Sequence, residues 1–145
     1  MRKVALLLVL LTAGLAAGCG GGGDNEESEG GEVQAACSGS PIDVTSKLPP
    51  SFPQIEEDKL TYTQESEVGP TQVVEGYFGG TIEEAHDEYK SGFESAGFTV
   101  LFDEVEAPND SEISWKGEGR TGQVAMRNEC GESDKTYIHI TNRPA

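Results

Sequence analysis

The side chains of this sequence that could do chemistry are two histidines, three cysteines and one dense group of acids. Histidine is the usual general base and metal ligand near neutral pH. His86 lies beside the apolar stripe of a predicted helix, whereas His139 alternates with two isoleucines along a predicted strand. If the helix covers the isoleucines, the two imidazole rings lie on opposite sides of the sheet. We therefore expect ordinary boundary or surface histidines that share no metal ion.

The acids are densest around one predicted loop, residues 103–112. The oxygen-bearing residues of this segment are Asp103, Glu104, Glu106, Asn109, Asp110 and Glu112. Hard oxygen donors at this density could hold calcium, although the spacing lacks the D-x-[DN]-x-[DN]-G pattern of a calcium loop. We expect a solvated acidic loop, and calcium binding there stays open.

Enzyme motifs are missing from the sequence. Nucleophilic catalysis needs a serine or cysteine beside a base, and the G-x-S-x-G pattern does not occur. Gly117 and Gly119 lie between two predicted strands, without the helix that a phosphate-binding loop requires. We predict no catalytic residue, no metal and no cofactor, with an unrecognised hydrolase as the least favoured alternative.

The charge balance excludes one class of partner. The 145 residues include 10 Lys and Arg against 26 Asp and Glu, for a formal net charge of −16. Nucleic acids are bound by clustered cations that release counterions from the phosphates. The few cations here are scattered singly, so we expect no nucleic-acid partner.

The amino terminus has the layout of a signal peptide. Arg2 and Lys3 precede an uncharged apolar run over residues 4–17. At about 1.5 Å per residue this run spans about 21 Å as a helix, short of the ~30 Å hydrocarbon core of a bilayer. We therefore predict that residues 1–18 are a cleaved signal peptide and not a permanent membrane span.

The run ends in Leu15-Ala16-Ala17-Gly18-Cys19, which resembles the lipobox of bacterial lipoprotein precursors. That resemblance implies a diacylglyceryl group on Cys19, cleavage immediately before it, and acylation of the new amino terminus. It also implies an exported protein, anchored to the cell membrane and facing away from the cytoplasm. Several acyl chains hold a protein at a bilayer far better than one does.

Lipidation of Cys19 would leave Cys37 and Cys130 as an even pair in an oxidising compartment. We predict a disulfide between them. A thiol with redox or nucleophilic function is disfavoured, because the sequence has no C-x-x-C spacing and no histidine near either cysteine.

Composition divides the rest of the chain into two parts. Residues 19–36 are rich in glycine and acid, carry no cation, and have Val33 as their one large aliphatic residue, so we predict a flexible tether. Residues 37–145 are long enough for a single globular domain. Leu48, Phe52 and Ile55 lie among prolines, which suggests an extended segment laid against that domain.

One helix is predicted over residues 82–96. Thr81 and Glu84 form a capping-box pair before it, and Gly97 with Phe98 has the pattern of a Schellman ending. The apolar stripe at three- and four-residue spacing consists of Ile82, Ala85, Tyr89, Phe93 and Ala96.

Strand character recurs on both sides of this helix, at residues 59–64, 71–78, 98–105, 112–117, 122–128 and 136–141. Strands so close in sequence pair most simply as an antiparallel meander. We predict an α+β, two-layer domain in the order β-β-α-β-β-β-β, with the one amphipathic helix packed on a mainly antiparallel sheet.

These patterns together favour a lipid-anchored bacterial lipoprotein. Its small domain would act by non-catalytic contact with an envelope or extracellular protein. The alternative is an accessory lipoprotein that binds a small ligand or a cation. An uncovered sheet face lined with aromatic residues would favour the first, and a closed pocket holding several carboxylates would favour the second.

Overall fold

The computed structural model describes residues 26–145, and side chains from residue 31 onward. Cys19, the signal peptide and the first part of the tether lie outside the described residues. Within the described part the chain forms two helices and six strands: α1 (Glu26–Ser38), β1 (Leu60–Val68), β2 (Thr71–Phe78), α2 (Ile82–Ser95), β3 (Thr99–Glu106), β4 (Asp110–Gly117), β5 (Arg120–Arg127) and β6 (Thr136–Pro144).

The six strands form one antiparallel sheet in the order β1-β2-β6-β5-β4-β3. The prediction of an α+β domain with an antiparallel sheet is confirmed. β3 to β6 follow one another as a meander, and β6 then pairs with β2 in the centre of the sheet. Ile138 and Ile140 of β6 are fully buried, which is consistent with a central position. The two edge strands are β1 and β3.

Helix α2 has the ends that its sequence predicts. The Thr81 side chain accepts from the Glu84 N–H at 3.3 Å, and the Glu84 carboxylate accepts from the Thr81 N–H at 2.9 Å. At the other end Gly97 has a φ of 78°, and the Phe98 N–H donates to the Phe93 carbonyl at 3.0 Å. This is the Schellman pattern, in which a glycine adopts the left-handed conformation.

The main core lies between α2 and one face of the sheet, which we call the inner face. Phe52, from the proline-rich segment, closes this core against aromatic rings of α2 and β4. Its ring centroid lies 5.3 Å from that of Phe93 and 5.4 Å from that of Trp115, both edge-on. Such pairs add to the hydrophobic stabilisation from buried area. The segment predicted to lie against the domain therefore contributes a fully buried side chain.

Helix α1 packs on the opposite face of the sheet, which we call the outer face. Tyr77 and Tyr137 alternate with inner-face residues, and they contact Val33 and Ala36 of α1. The predicted tether differs from the structure here, because residues 26–36 are helical. Composition averaged over the whole segment hides its last part, where Val33 and the alanines supply an apolar contact next to Cys37. The domain therefore carries a helix on each face, where one had been predicted.

Cys37 and Cys130 lie together at the end of α1, with their sulfur atoms 1.98 Å apart, a disulfide distance. Cys37 belongs to the last turn of α1, and Cys130 lies between β5 and β6. They are 93 residues apart in the chain. Thr63 of β1 adds a second tie, because its hydroxyl donates to the Ala36 carbonyl at 2.7 Å.

Candidate functional site

The two histidines lie on opposite sides of the sheet. His86 is on α2, which covers the inner face, whereas His139 projects from the outer face beside Tyr137. Burial lowers the pKa of His139, because desolvation disfavours its charged form. The rings are thus placed apart, as the alternation in β6 indicates.

His86 makes a contact that the sequence analysis did not anticipate. Its ring is buried, and its Nε2 lies 2.5 Å from a carboxylate oxygen of Asp103 on β3. Lys90, one turn further along α2, pairs with the other oxygen of the same carboxylate. Hydrogen bonds from Lys90 and then from His86 hold the pKa of Asp103 below its ordinary value.

This cluster ties α2 to β3. The Nδ1 of His86 faces the carboxylate of Asp87 at 3.4 Å, so both ring nitrogens face acids. In the described part of the chain no serine hydroxyl or thiol bonds to His86, and the nucleophile of a catalytic triad has no counterpart there. The pairing register of β3 and β4 explains the contact. Asp103 faces Ile113, so both side chains lie on the inner face, which α2 covers.

The predicted acidic loop is mostly strand. β3 continues to Glu106 and β4 begins at Asp110, so only residues 107–109 form the turn. Asp103 faces inward, and the remaining four acids project from the outer face: Glu104, Glu106, Asp110 and Glu112. Antiparallel pairing explains the difference, since Glu104 lies opposite Glu112 and Glu106 opposite Asp110.

These four carboxylates, which we call the acidic patch, line a hollow of about 140 Å³. Arg127 of β5 is the neighbouring cation, 3.6 Å from Asp110 and 4.0 Å from Glu112. Gln123 also donates to Glu112 at 2.8 Å. Across residues 31–145, whose side chains are described, no group of three or more His, Cys, Asp or Glu side chains is arranged to hold a metal ion. The acidic patch is left with more negative charge than its one cation balances.

Next to the acidic patch, the edge strand β3 exposes apolar side chains. Leu101 is 57% exposed, Phe102 45% and Val105 42%. Leu101 lies where the pairing register between β3 and β4 shifts, at a β-bulge. Exposed apolar residues on a free strand edge are unusual, because natural sheets protect their edges against unwanted pairing.

No protein-family model, curated protein or solved structure matches this chain. Among residues 26–145, neither helix has the length and apolar character needed to cross a membrane. The molecule is an α+β protein with an antiparallel sheet, and its open edge lies beside an acidic patch.

Proposed function

We propose that this chain is an exported lipoprotein, anchored to the cell membrane through acyl chains on Cys19. Its domain, residues 37–145, would use the two-layer core of sheet and α2, in the order β-β-α-β-β-β-β, as a rigid support. The domain acts by non-catalytic contact with a protein at the cell surface or in the envelope. In this arrangement α1 joins the domain to the lipid anchor.

The observation that carries the contact function is the exposed edge strand β3. Three apolar side chains on one short strand are accessible. Phe102 shares the outer face with the four acids of the hairpin, Val105 lies on the inner face, and Leu101 lies at the bulge. Exposed apolar side chains next to charged ones are typical of protein-binding surfaces. The contact between Asp103 and the buried His86 ring of α2 holds the strand from the inner face, so the surface is positioned before a partner arrives.

The acidic patch supports a second candidate function, binding of a cation or a small ligand. Its hollow of about 140 Å³ is small compared with ligand pockets, which usually enclose roughly 300–1,000 Å³. A calcium titration followed by thermal unfolding tests this candidate. A calcium-dependent rise in Tm that is lost in Glu104→Gln with Glu112→Gln would favour it over the contact function.

Two experiments test the proposed function. Cys19→Ser should release the protein from the membrane fraction or leave an uncleaved precursor, whereas the same fractionation of the natural chain should find it in the membrane. A photo-crosslinking residue at Phe102 should then join the anchored protein to a partner of discrete mass in intact cells. Val68, exposed on the opposite edge strand, is the matched control position. Equal or absent cross-linking at both positions would contradict the contact function.

A further inference from the structure

The edge strand β3 has free hydrogen-bonding groups along one side. It pairs only with β4, so alternate N–H and C=O groups point away from the sheet. In the part of the chain that the structure describes, no backbone hydrogen bond from outside β4 reaches residues 99–105. β3 therefore offers a template onto which a further strand can be added.

The other edge strand is protected. The Ile42 N–H donates to the carbonyl of Tyr62 on β1 at 2.9 Å, so the chain before β1 occupies part of this edge. Further along, Lys47 lies 3.6 Å from Glu65 and 3.5 Å from Glu67, both on β1. One sheet thus has a partly covered edge and an open edge. Three exposed apolar residues lie on the open strand, whereas the covered strand exposes Val68 at its far end.

The side chains of β3 define what an added strand must carry. Phe102, Glu104 and Glu106 share the outer face, and Val105 lies on the inner face. Asp103, also on the inner face, is already engaged by His86. A matching strand would place cations opposite the two glutamates, and an aromatic or apolar side chain opposite Phe102. Opposite charges at directly facing positions stabilise antiparallel pairs.

A second copy of this chain fits the edge poorly. When two β3 strands pair antiparallel with Val105 at the centre, Glu104 of each copy faces Glu106 of the other, and like charges at facing positions are destabilising. Each copy also has a net charge of −16, which opposes association. Charge complementarity therefore points to a basic partner.

We infer that β3 binds an extended, basic segment of a partner protein, which adds to the sheet as a seventh, antiparallel strand. The segment alternates Lys or Arg with apolar or β-branched residues. This inference rests on the proposed contact function and names the chemistry of its partner. Backbone hydrogen bonds supply the pairing, and the acidic patch selects the charge.

The probe for this inference is the peptide Ac-Thr-Lys-Val-Lys-Thr-Tyr-Thr-NH2, whose order matches β3 read antiparallel from its end. Its affinity for the full mature chain in detergent micelles is measured by calorimetry at several salt concentrations. Two further versions carry N-methyl groups on alternate residues, one version for each edge of the added strand. Only one edge can face β3, so one version should bind at least about ten-fold more weakly while the other binds nearly as well.

The protein variants separate pairing from general charge attraction. Glu104→Lys with Glu106→Lys should weaken peptide binding by at least about ten-fold. The matched control is Glu57→Lys with Asp58→Lys, the same charge change in the exposed loop before β1, and it should shift binding by less than about two-fold. Phe102→Thr, which keeps strand propensity, should also weaken binding.

Three results would overturn the inference. They are equal binding of both methylated peptides, equal binding by the two charge variants, and concentration-dependent dimerisation through β3 in the absence of peptide. In each case cross-linking from Phe102 in cells would leave the contact function standing, with a different partner chemistry. Absence of that cross-linking would remove the contact function itself.

Discussion

The outer face of the sheet has two halves, one covered by helix α1 and one open. Over β1, β2 and β6, helix α1 covers Tyr77 and Tyr137, and the Cys37–Cys130 pair ties that helix down. Over β5, β4 and β3, helix α2 packs on the inner face only, and in the described part of the chain α1 makes no comparable contact with these strands, so charged side chains prevail on their outer face. Both halves belong to one continuous hydrogen-bonded sheet.

The covered half of the outer face contributes to the stability of the fold, whereas the open half leaves its side chains accessible. The covered half removes apolar surface from water, which is the main favourable contribution to folding. Tyr137 also donates to Glu75, and burial followed by this hydrogen bond raises the pKa of its phenol. The open half contributes less burial, so its side chains can change with little effect on folding. A surface of that kind is free to serve recognition.

Removing the disulfide should have the largest effect on the covered half. In the chain-entropy model, closing a loop this long contributes about 4–5 kcal/mol to the free energy of unfolding, and the cysteines are 93 residues apart. Cys37→Ala with Cys130→Ala should lose about that amount in urea unfolding, and α1 should exchange its amide hydrogens faster. The reduced natural chain is the control. Unchanged stability in both would contradict the view that this pair holds the covered half.

Matched substitutions to threonine should have different effects on stability in the two halves, and we expect the second-largest effect here. Tyr137 is 4% exposed under α1 and Phe102 is 45% exposed on β3, and threonine suits a strand at either position. We expect Tyr137→Thr to lower the free energy of unfolding by about 3 kcal/mol. Phe102→Thr should lower it by less than about 1 kcal/mol. Equal losses in chemical denaturation would show that the open half is as structural as the covered one.

The Asp103 contact tests how the open half is supported from the inner face. The pKa of Asp103 is lowered from its ordinary value of 3.8 by Lys90 and His86. Because the pKa is lower in the folded state, the ionised carboxylate stabilises the fold at any pH above its ordinary pKa. This contribution is lost as the pH falls through the lower pKa of the folded state. Asp103→Asn should therefore be less stable by about 1–2 kcal/mol at neutral pH. The difference from the natural chain should shrink in denaturation curves taken below about pH 4, whereas a difference independent of pH would contradict this role.

Charge reversal in the acidic patch should have the smallest effect on stability. Glu104→Lys with Glu106→Lys relieves repulsion with the facing acids Glu112 and Asp110. The free energy of unfolding should stay equal or rise by up to about 0.5 kcal/mol at low salt, and the gain should fade as salt is added. A large decrease in the free energy of unfolding would show that these glutamates stabilise the fold, as the residues under α1 do.

Much of the fold could be predicted because its signals are local. The ends of α2 follow from Thr81, Glu84 and Gly97, and alternation identifies the later strands. The contact of α1 depends on residues distant in sequence, Tyr77 and Tyr137, and no pattern within the glycine-rich segment predicts it. Tertiary packing of this kind routinely overrides weak local propensity.

The candidate surface was predictable only in part. The acids between residues 103 and 112 stand out by density, but their division between two faces depends on the short turn that sets the β3–β4 register. The open edge depends on strand order. Because β6 pairs with β2 in the centre of the sheet, β3 is left at one end. Strand order is a global property, and local sequence patterns do not determine it.

Amide hydrogen exchange of the full mature chain, with and without the basic peptide, tests the central claim most directly. If the open half receives an added strand, amides of β3 that point away from β4 become slower to exchange. Amides of the covered edge strand β1 keep their rates, and the acidic version of the peptide, with Glu in place of Lys, changes neither strand. Slowing of β1 and β3 alike, or of neither, would contradict the account.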